Sequence, residues 1–335
     1  MNRLWLLEIP AVVVLVALLV VARPDSAAAE PEARVRVATL LPFVADAVAL
    51  APEQATVVAS VRRSMHVPLP PDLIDLGNPH SPNFERLAEA RPDLIVADAR
   101  VHAAFAETLA GFGAEVRMID TAGIEPTLDA LSSIEVEIGG SEALRDRIAA
   151  VRSEIGALEL GDDRVVRVLP LFGAPGTFFA VTDRAWLGQL VEDLGFENLA
   201  PSDGDERFAG LVAISDEVLA TLEPDLVVLV AHGDPRKIRA DLASRTAEGG
   251  AWASLGHAKL GVHVLDPRLF SANPGLDLDR AARELVALAD GPSAGAGVRP
   301  PAVSAGGAGV RPPAVPAGGA GVRPPAVPAG GESAH

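Results

Sequence analysis

Cysteine and tyrosine are both absent from the 335 residues. Without cysteine there is no disulfide, no thiolate-bound metal or iron–sulfur cluster, no thiol nucleophile and no N-terminal cysteine for a lipid anchor. Without tyrosine no phenolate is available to ligate iron. Lysine is nearly missing: Lys237 and Lys259 are the only two, so the 28 basic residues are almost all arginine, and 45 acids outnumber them. A net charge of −17 with no basic stripe argues against nucleic acid, because phosphate neutralisation needs clustered cations. The G-x-x-x-x-G-K-[ST], G-x-S-x-G and H-E-x-x-H signatures do not occur, which removes the commonest sequence marks of phosphate-loop, serine-hydrolase and zinc-protease chemistry.

What is present divides the chain into a body and two ends. Residues 1–29 read as a secretory signal: Arg3, an apolar run of 13 residues from Pro10 to Ala22, and small residues Ala27 to Ala29 at the place of cleavage. The run is short for a membrane span; uncleaved, it would be an N-terminal membrane anchor. Either way the body is expected outside the cytoplasmic membrane, at the cell surface or in the periplasm. Residues 291–335 form a tail in which Gly-Val-Arg-Pro-Pro-Ala-Val recurs, with Val298, Val310 and Val322 twelve residues apart. Such a Pro- and Gly-rich segment buries too little apolar surface to offset its ordering entropy, so disorder is expected, as a spacer or stalk or as a neutral repeat expansion.

The body alternates strand-like and helix-like patterns. Arg34–Leu40, Asp93–Ala97, Glu115–Ile119, Val165–Leu171, Leu226–Val230 and Val262–Leu265 read as strands, with helical segments between them. This predicts an α/β protein with mostly parallel sheets covered by helices. Leu144, Ile148, Val151, Ile155 and Leu158 recur at steps of four and three, an amphipathic helix that Ser141 can cap and Gly161 can end. It lies between two groups of strands. The division expected is an N-terminal lobe at 30–138, a single bridging helix at 139–160 and a C-terminal lobe at 161–290.

An internal echo supports two lobes. Residues 85–96 read ERLAEARPDLIV and residues 217–228 read EVLATLEPDLVV, with seven of twelve positions identical. Each is a short helix, a Pro-Asp turn and a buried strand, which makes Asp93 and Asp225 turn residues rather than a catalytic pair. Among seven histidines, His80 precedes the first echoed helix in Gly77-Asn78-Pro79-His80-Ser81-Pro82, and His232 follows the second echoed strand in His232-Gly233-Asp234-Pro235. Both are expected in loops at the carboxyl edges of their sheets, where open α/β folds bind ligands. His102, His257 and His263 read as surface or capping residues. His66, in the loop from Val61 to Pro71, is a further candidate for the cleft, and Gly173 to Thr177 reads as a tight turn whose N–H groups could hold an anion.

Taken together, Gly77-Asn78-Pro79-His80-Ser81-Pro82-Asn83, the two Pro-Asp-Leu segments, Gly173-Ala174-Pro175-Gly176-Thr177, Ala180-Val181-Thr182-Asp183, His232-Gly233 and Ala272-Asn273 resemble a family. It is the substrate-binding proteins of bacterial ABC importers for siderophores, cobalamin and heme, whose two lobes are joined by one long helix. The nearest resemblance is to the IsdE-type surface heme receptors of Gram-positive iron-regulated uptake systems. In those receptors a methionine in a Gly-x-Pro-Met-x-Pro loop and the histidine of a His-Gly element hold heme iron from opposite lobes. The resemblance therefore implies heme b as cargo, with His232 as a direct match and His80 as a departure, histidine standing where the family has methionine. Imidazole is also an axial ligand, and losing the thioether favours ferric iron. A second departure is the missing lipid-anchor cysteine.

Heme is flat and apolar with two carboxylates at one edge, so cations at the cleft are expected to meet its propionates. Arg62 and Arg63 are candidates for this edge, with His66, Thr39 and Thr177 as lesser pocket candidates. The resemblance also implies an ABC permease as partner, docked through one glutamate per lobe at Glu85 and Glu217, and upstream surface heme donors. No catalysis is expected. The other readings are a ferric-siderophore or cobalamin receptor of the same fold, and a secreted metal-dependent hydrolase using the two histidines, for which the sequence offers no third ligand.

Overall fold

The computed structural model describes residues 33–61, 72–158, 165–174, 176–202, 206–208 and 210–291. The leader and tail readings, together with Arg62, Arg63, His66 and His335, lie outside these residues. Among the described residues no helix is long and apolar enough to cross a membrane.

The first lobe is a five-stranded sheet in the order β3-β2-β1-β6-β7, and every neighbouring pair is parallel. Its strands are β1 (Val35–Thr39), β2 (Ala55–Ser60), β3 (Ile74–Asp75), β6 (Leu94–Asp98) and β7 (Glu115–Ile119). A small hairpin, β4 (Gly77–Asn78) and β5 (Ser81–Pro82), follows β3. The helices α1 (Pro42–Val48), α2 (Phe84–Ala90) and α3 (Ala106–Ala110) complete the lobe.

Two helices then connect the sheets, α4 (Ile124–Glu137) and α5 (Glu142–Gly156). Leu144, Ile148, Val151 and Ile155 of the stripe are in α5, which ends before Leu158, and Ser141 caps it by accepting the Leu144 N–H as expected; Gly161, expected to end the helix, lies outside the described residues. The bridge, however, is a helix pair rather than one helix. Gly139 and Gly140, at φ of 100° and 84°, turn the chain through a conformation that side-chain-bearing residues avoid, so α5 doubles back and packs on α4.

The second lobe holds β8 (Arg167–Ala174), β9 (Thr177–Val181), α6 (Trp186–Asp193), β10 (Glu197–Asn198), β11 (Glu206–Phe208), β12 (Leu211–Ala213), α7 (Asp216–Thr221), β13 (Leu226–Ala231), α8 (Pro235–Thr246) and β14 (Val262–Val264). Its sheet runs β11-β12-β9-β8-β13-β14, with β10 also on β8. This sheet is mixed. β8, β10, β13 and β14 are parallel, while β9, β12 and β11 add antiparallel neighbours. The antiparallel part arises because β8 is followed directly by β9 as its antiparallel partner, with Ala174 paired to Thr177 and Gly176 at φ 78°. The chain ends with α9 (Pro267–Phe270) and α10 (Leu278–Ala289).

Strand alternation assigns each side chain to a core. On β6, Leu94 and Val96 face the central core while Ile95 and Ala97 face an outer one. On β13, Leu226, Val228 and Val230 face the same central core, and Val227, Leu229 and Ala231 face a third. Side chains alternate across a strand, and both strands are buried on both faces, so their sequence reads as a continuous apolar run. The central core is shared by both sheets and by the connecting helices.

The echoed segments occupy equivalent places. Asp93 N–H donates to the Arg36 carbonyl at 2.8 Å, and Asp225 N–H donates to the Arg167 carbonyl at 2.8 Å. Each carboxylate then accepts the backbone N–H of that same residue, Arg36 at 2.9 Å and Arg167 at 3.1 Å. Each Asp carbonyl accepts from the chain entering the next strand along, from Glu115 at the start of β7 in one lobe and from Leu260 just before β14 in the other. One Pro-Asp turn thus ties three parallel strands in each sheet, which makes these aspartates structural.

The C-terminal segment returns to the first lobe. The turn Gly275–Asp277 packs on α1, α4 and α5, and α10 packs on α5. Asn273 donates to the Thr121 carbonyl and to the Thr127 hydroxyl, both at 2.8 Å. Under this return lies Asp46 of α1, whose Oδ1 is buried without a hydrogen-bond partner. Burial pushes its carboxyl up to about 7, and the charge of Asp277 adds to the effect. An acid whose native pKa is raised binds its proton more tightly folded than unfolded, so stability falls as pH rises from about 4 to about 7. Asp46→Asn is therefore expected to flatten this loss. At pH 8 the variant should melt higher than the parent, at about 2–4 °C per kcal/mol gained, and at pH 4 the two should coincide. Parallel melting curves at both pH values would disprove it.

Candidate functional site

His80 is the second turn residue of the β4–β5 hairpin, in which Gly77 pairs with Pro82 and Asn78 with Ser81. The hairpin is built by local chemistry. The Asn78 side chain accepts the His80 N–H at 2.9 Å, Asp75 accepts the Gly77 N–H at 2.9 Å, and Gly77 sits at φ 79°. Asn83, just after the hairpin, caps α2 by accepting the Arg86 N–H, and Arg86 reaches back to the Asp75 carbonyl at 2.6 Å. The turn is braced from both ends, and the His80 side chain is exposed at its tip.

His232 leaves the carboxyl end of β13. Its N–H donates to the Gly173 carbonyl at 2.7 Å, which extends the β8–β13 ladder by one bond. Its exposed ring stacks on Phe172, with centroids 5.4 Å apart and planes at 29°. Gly233 then takes φ 115°, Asp234 caps α8 by accepting the Arg236 N–H, and Pro235 opens the helix. Pro suits the first helical turn because its missing N–H has no partner there anyway. His-Gly-Asp-Pro is thus a strand-to-helix turn that leaves one imidazole at the sheet edge.

The remaining candidates divide. Thr177 is exposed on the hairpin next to Gly173, at the same sheet edge as His232. Thr39 ends β1 but is fully buried, and its hydroxyl is spent on Leu41, donating to the carbonyl and accepting the N–H at 3.0 Å. Glu85 and Glu217 are exposed in the first turns of α2 and α7, where the helix dipole favours acids. The backbone N–H and the Ser215 hydroxyl hold the Glu217 carboxyl below its usual range.

His102 departs from its surface or capping reading. It is 1% exposed, and Nδ1 accepts the Asp98 N–H at 2.9 Å. Asp98, at the carboxyl end of β6, is itself buried; its carboxylate accepts the N–H groups of Arg100 and Val101 at 2.8 Å and the hydroxyl of Thr121. A lone histidine after a strand carries no sequence signal of burial. Sequence reasoning also passed over Arg236, Lys237 and Arg239, three exposed cations just after His232. Their spacing in a chain with two lysines was the available signal. A cavity of about 440 Å³ lies elsewhere, lined by Ile124, Ile155, Leu194 and Val286 among others, on the side of the connecting helices. Among the described residues no group of three or more His, Asp or Glu gathers as a metal site.

No family model matches the chain. The high-affinity heme uptake system protein IsdE of Staphylococcus aureus is 26% identical over 120 residues, 36% of this chain and 40% of IsdE, so the alignment spans less than half of that relative. Among solved structures, an ABC transporter substrate-binding protein from Listeria monocytogenes EGD-e superposes with a TM-score of 0.62 at 22% identity, covering 76% of this chain and 98% of the other. S. aureus IsdE complexed with heme gives 0.62 at 18%, covering 76% and 98%. The siderophore-binding protein FhuD of Vibrio cholerae, bound to Fe3+-Desferal, gives 0.56 at 18%, covering 77% and 100%. With two α/β sheets, a helical connection between them and near-complete coverage of these neighbours, the chain has the fold of the substrate-binding proteins of ABC transporters.

Proposed function

We propose that the chain is an extracytoplasmic substrate-binding protein that carries heme to an ABC permease, with the iron held by His80 and His232. The observation that carries this reading is a pair of exposed imidazoles on turns of different lobes, each turn made rigid by its own Asx, capping or glycine geometry. Rigid mounting suits an axial ligand, since little order is lost when it meets the metal. Phe172, already stacked on His232, supplies apolar surface of the kind a porphyrin face buries. The likeness to IsdE, a protein of heme uptake, supports heme as the cargo. Arg236, Lys237 and Arg239 join Arg62, Arg63, His66 and Thr177 as candidates for the propionate edge, because charge-assisted bonds to carboxylate are the strong ones. The work is binding and release rather than catalysis.

A ferric siderophore is the second reading, favoured by the superposition on FhuD. Titration of the purified protein with ferric heme and with ferric desferrioxamine separates the two. Heme cargo gives a six-coordinate, low-spin spectrum saturating at one equivalent. A siderophore cargo gives its charge-transfer band and leaves heme unbound, which would reject the assignment.

Glu85 and Glu217 are the proposed permease contacts, one per lobe. Reversing both charges is expected to leave heme affinity unchanged while lowering heme-dependent growth of the parent cells about tenfold, as losing charged rim contacts slows encounter. Uptake at the parental rate would remove these two residues from the docking surface.

A further inference from the structure

Glu217 is exposed on α7, a helix of only six residues. Isolated helices this short are unstable in water, so contacts with the rest of the lobe must set the direction of α7. Leu219 is one anchor, with no exposure to solvent. Asp216, the residue that opens the helix, is another. Its Oδ1 accepts the indole N–H of Trp252 at 2.6 Å, a charge-assisted bond of the stronger kind. Trp252 is itself fixed. It is 2% exposed, and its ring meets Phe178 of β9 edge-on, with centroids 4.9 Å apart and planes at 79°. The Arg245 guanidinium of α8 covers the indole at 4.8 Å and lies 5.3 Å from the Phe178 ring. The Trp252 backbone N–H donates to the Arg245 carbonyl at 2.8 Å. A buried indole needs a partner for its N–H, and here the partner is the first residue of α7.

The first lobe holds the same place in the echo by other means. Phe84, one residue before Glu85, opens α2. It packs edge-on against Phe105 at 5.4 Å and lies 6.2 Å from Phe112. In both lobes the aromatic partner comes from the chain between the echoed strand and the next one, β6 to β7 and β13 to β14. Positions 84 and 216 differ in sequence, phenylalanine against aspartate, yet each is tied down. Successive helical residues point about 100° apart, so fixing the first sets the rotation of the helix and the direction of the glutamate that follows. We infer that Trp252, acting through Asp216, is a positioning residue for Glu217 in permease docking. The inference rests on the assignment of Glu217 as a permease contact. Because Trp252 is buried, it reaches the permease only through α7.

The test uses the full-length chain in parent cells lacking their native copy, with heme uptake measured against graded expression of the chain. Glu217→Ala should raise the expression needed for half-maximal uptake about fivefold and leave the plateau unchanged, as expected for slowed encounter. Trp252→Phe removes the indole N–H and keeps a ring against Phe178. It and Asp216→Ala should each raise that expression about threefold, within the range of couplings inside one contact network. Asp216→Asn, which keeps an acceptor oxygen, should restore most of the parental value. In a Glu217→Ala background neither Trp252→Phe nor Asp216→Ala should add to the shift, and heme titrations of every variant should match the parent. Parental curves for both variants, or the same shift with Glu217 already removed, would overturn the inference while leaving Glu217 as a contact. A parental curve for Glu217→Ala would remove the contact and the inference together. A wild-type chain that carries no heme into the cells would remove the import reading and both with it. Should Trp252→Phe fail to fold, Asp216→Ala and Asp216→Asn, at an exposed position, decide alone.

Discussion

Alanine at His232 is expected to turn the ferric heme complex from six-coordinate low-spin to five-coordinate high-spin, and alanine at His80 to do the same. The two side chains come from turns built separately in each lobe, so neither variant should unfold the other half. His232 is exposed, its contact being a stack on Phe172, and His80 stands at the tip of a hairpin whose bonds are made by backbone and by Asn78. Removing either ring therefore takes away a ligand without opening a core. Removing both should weaken heme binding more than about 100-fold, beyond what loss of an orienting group alone produces. His80→Met is the informative partner experiment. A thioether opposite histidine favours ferrous iron, so the bound heme should show a higher reduction potential than the parent while staying six-coordinate. Unaltered spectra in both alanine variants would reject the ligand assignment. A His80→Met protein with the parental potential would reject His80 alone.

The second large effect concerns stability. Asp279, at the start of α10, is 2% exposed and accepts from Arg147 of α5 and Arg283 of α10, both at 2.7 Å. Arg147 also donates to the Leu276 carbonyl, and Arg283 to Glu154 of α5. Burial opposes charge on Asp279, but the Arg147 and Arg283 guanidinium groups bonded to it hold its carboxyl below the usual range. Truncating one member of a buried ion pair costs about 3–5 kcal/mol. Here both arginines are partly solvated, with side chains 29% and 46% exposed, so Asp279→Ala should cost less, about 2–3 kcal/mol, or roughly 5–10 °C in melting temperature. The sign with pH follows. A carboxyl with a lowered native pKa stabilises above its unfolded value near 4, and that contribution disappears as pH falls through the native value. The gap between parent and Asp279→Ala should therefore be full at pH 7 and close on acidification. A gap that widened toward pH 3 would rule out the ion network as its source.

Much of the architecture was legible because strands buried on both faces must be apolar throughout. The runs at Leu94 and Leu226 stand out, and strands start or end within a few residues of their reading. The echo at 85–96 and 217–228 proved to be equivalent chain in two sheets, since a Pro-Asp turn that bonds three parallel strands needs the same residues wherever it occurs. The helix from Leu144 and its Ser141 cap were equally local. The pairing of that helix with α4 was harder to read. Gly139-Gly140 permits a reversal, but only the apolar face offered by α4 and α10 makes it favourable.

The same division holds at the site. His80 and His232 could be placed at loop edges from neighbours within a few residues, because Gly, Pro, Asn and Asp act on the backbone locally. Burial depends on what arrives from far along the chain. Thr39 was a pocket candidate by position, yet it is closed over, its hydroxyl turned to Leu41. His102 read as a surface or capping residue, yet it is almost wholly buried. By itself the sequence determined two α/β halves, their shared Pro-Asp turns and the two turns that mount an imidazole, all products of short-range backbone preference and strand alternation. Only the tertiary structure decided that the connection is a helix pair and that the C-terminal helix locks onto it through Asp279. Each of these depends on contacts between segments tens to more than a hundred residues apart, which no local pattern encodes.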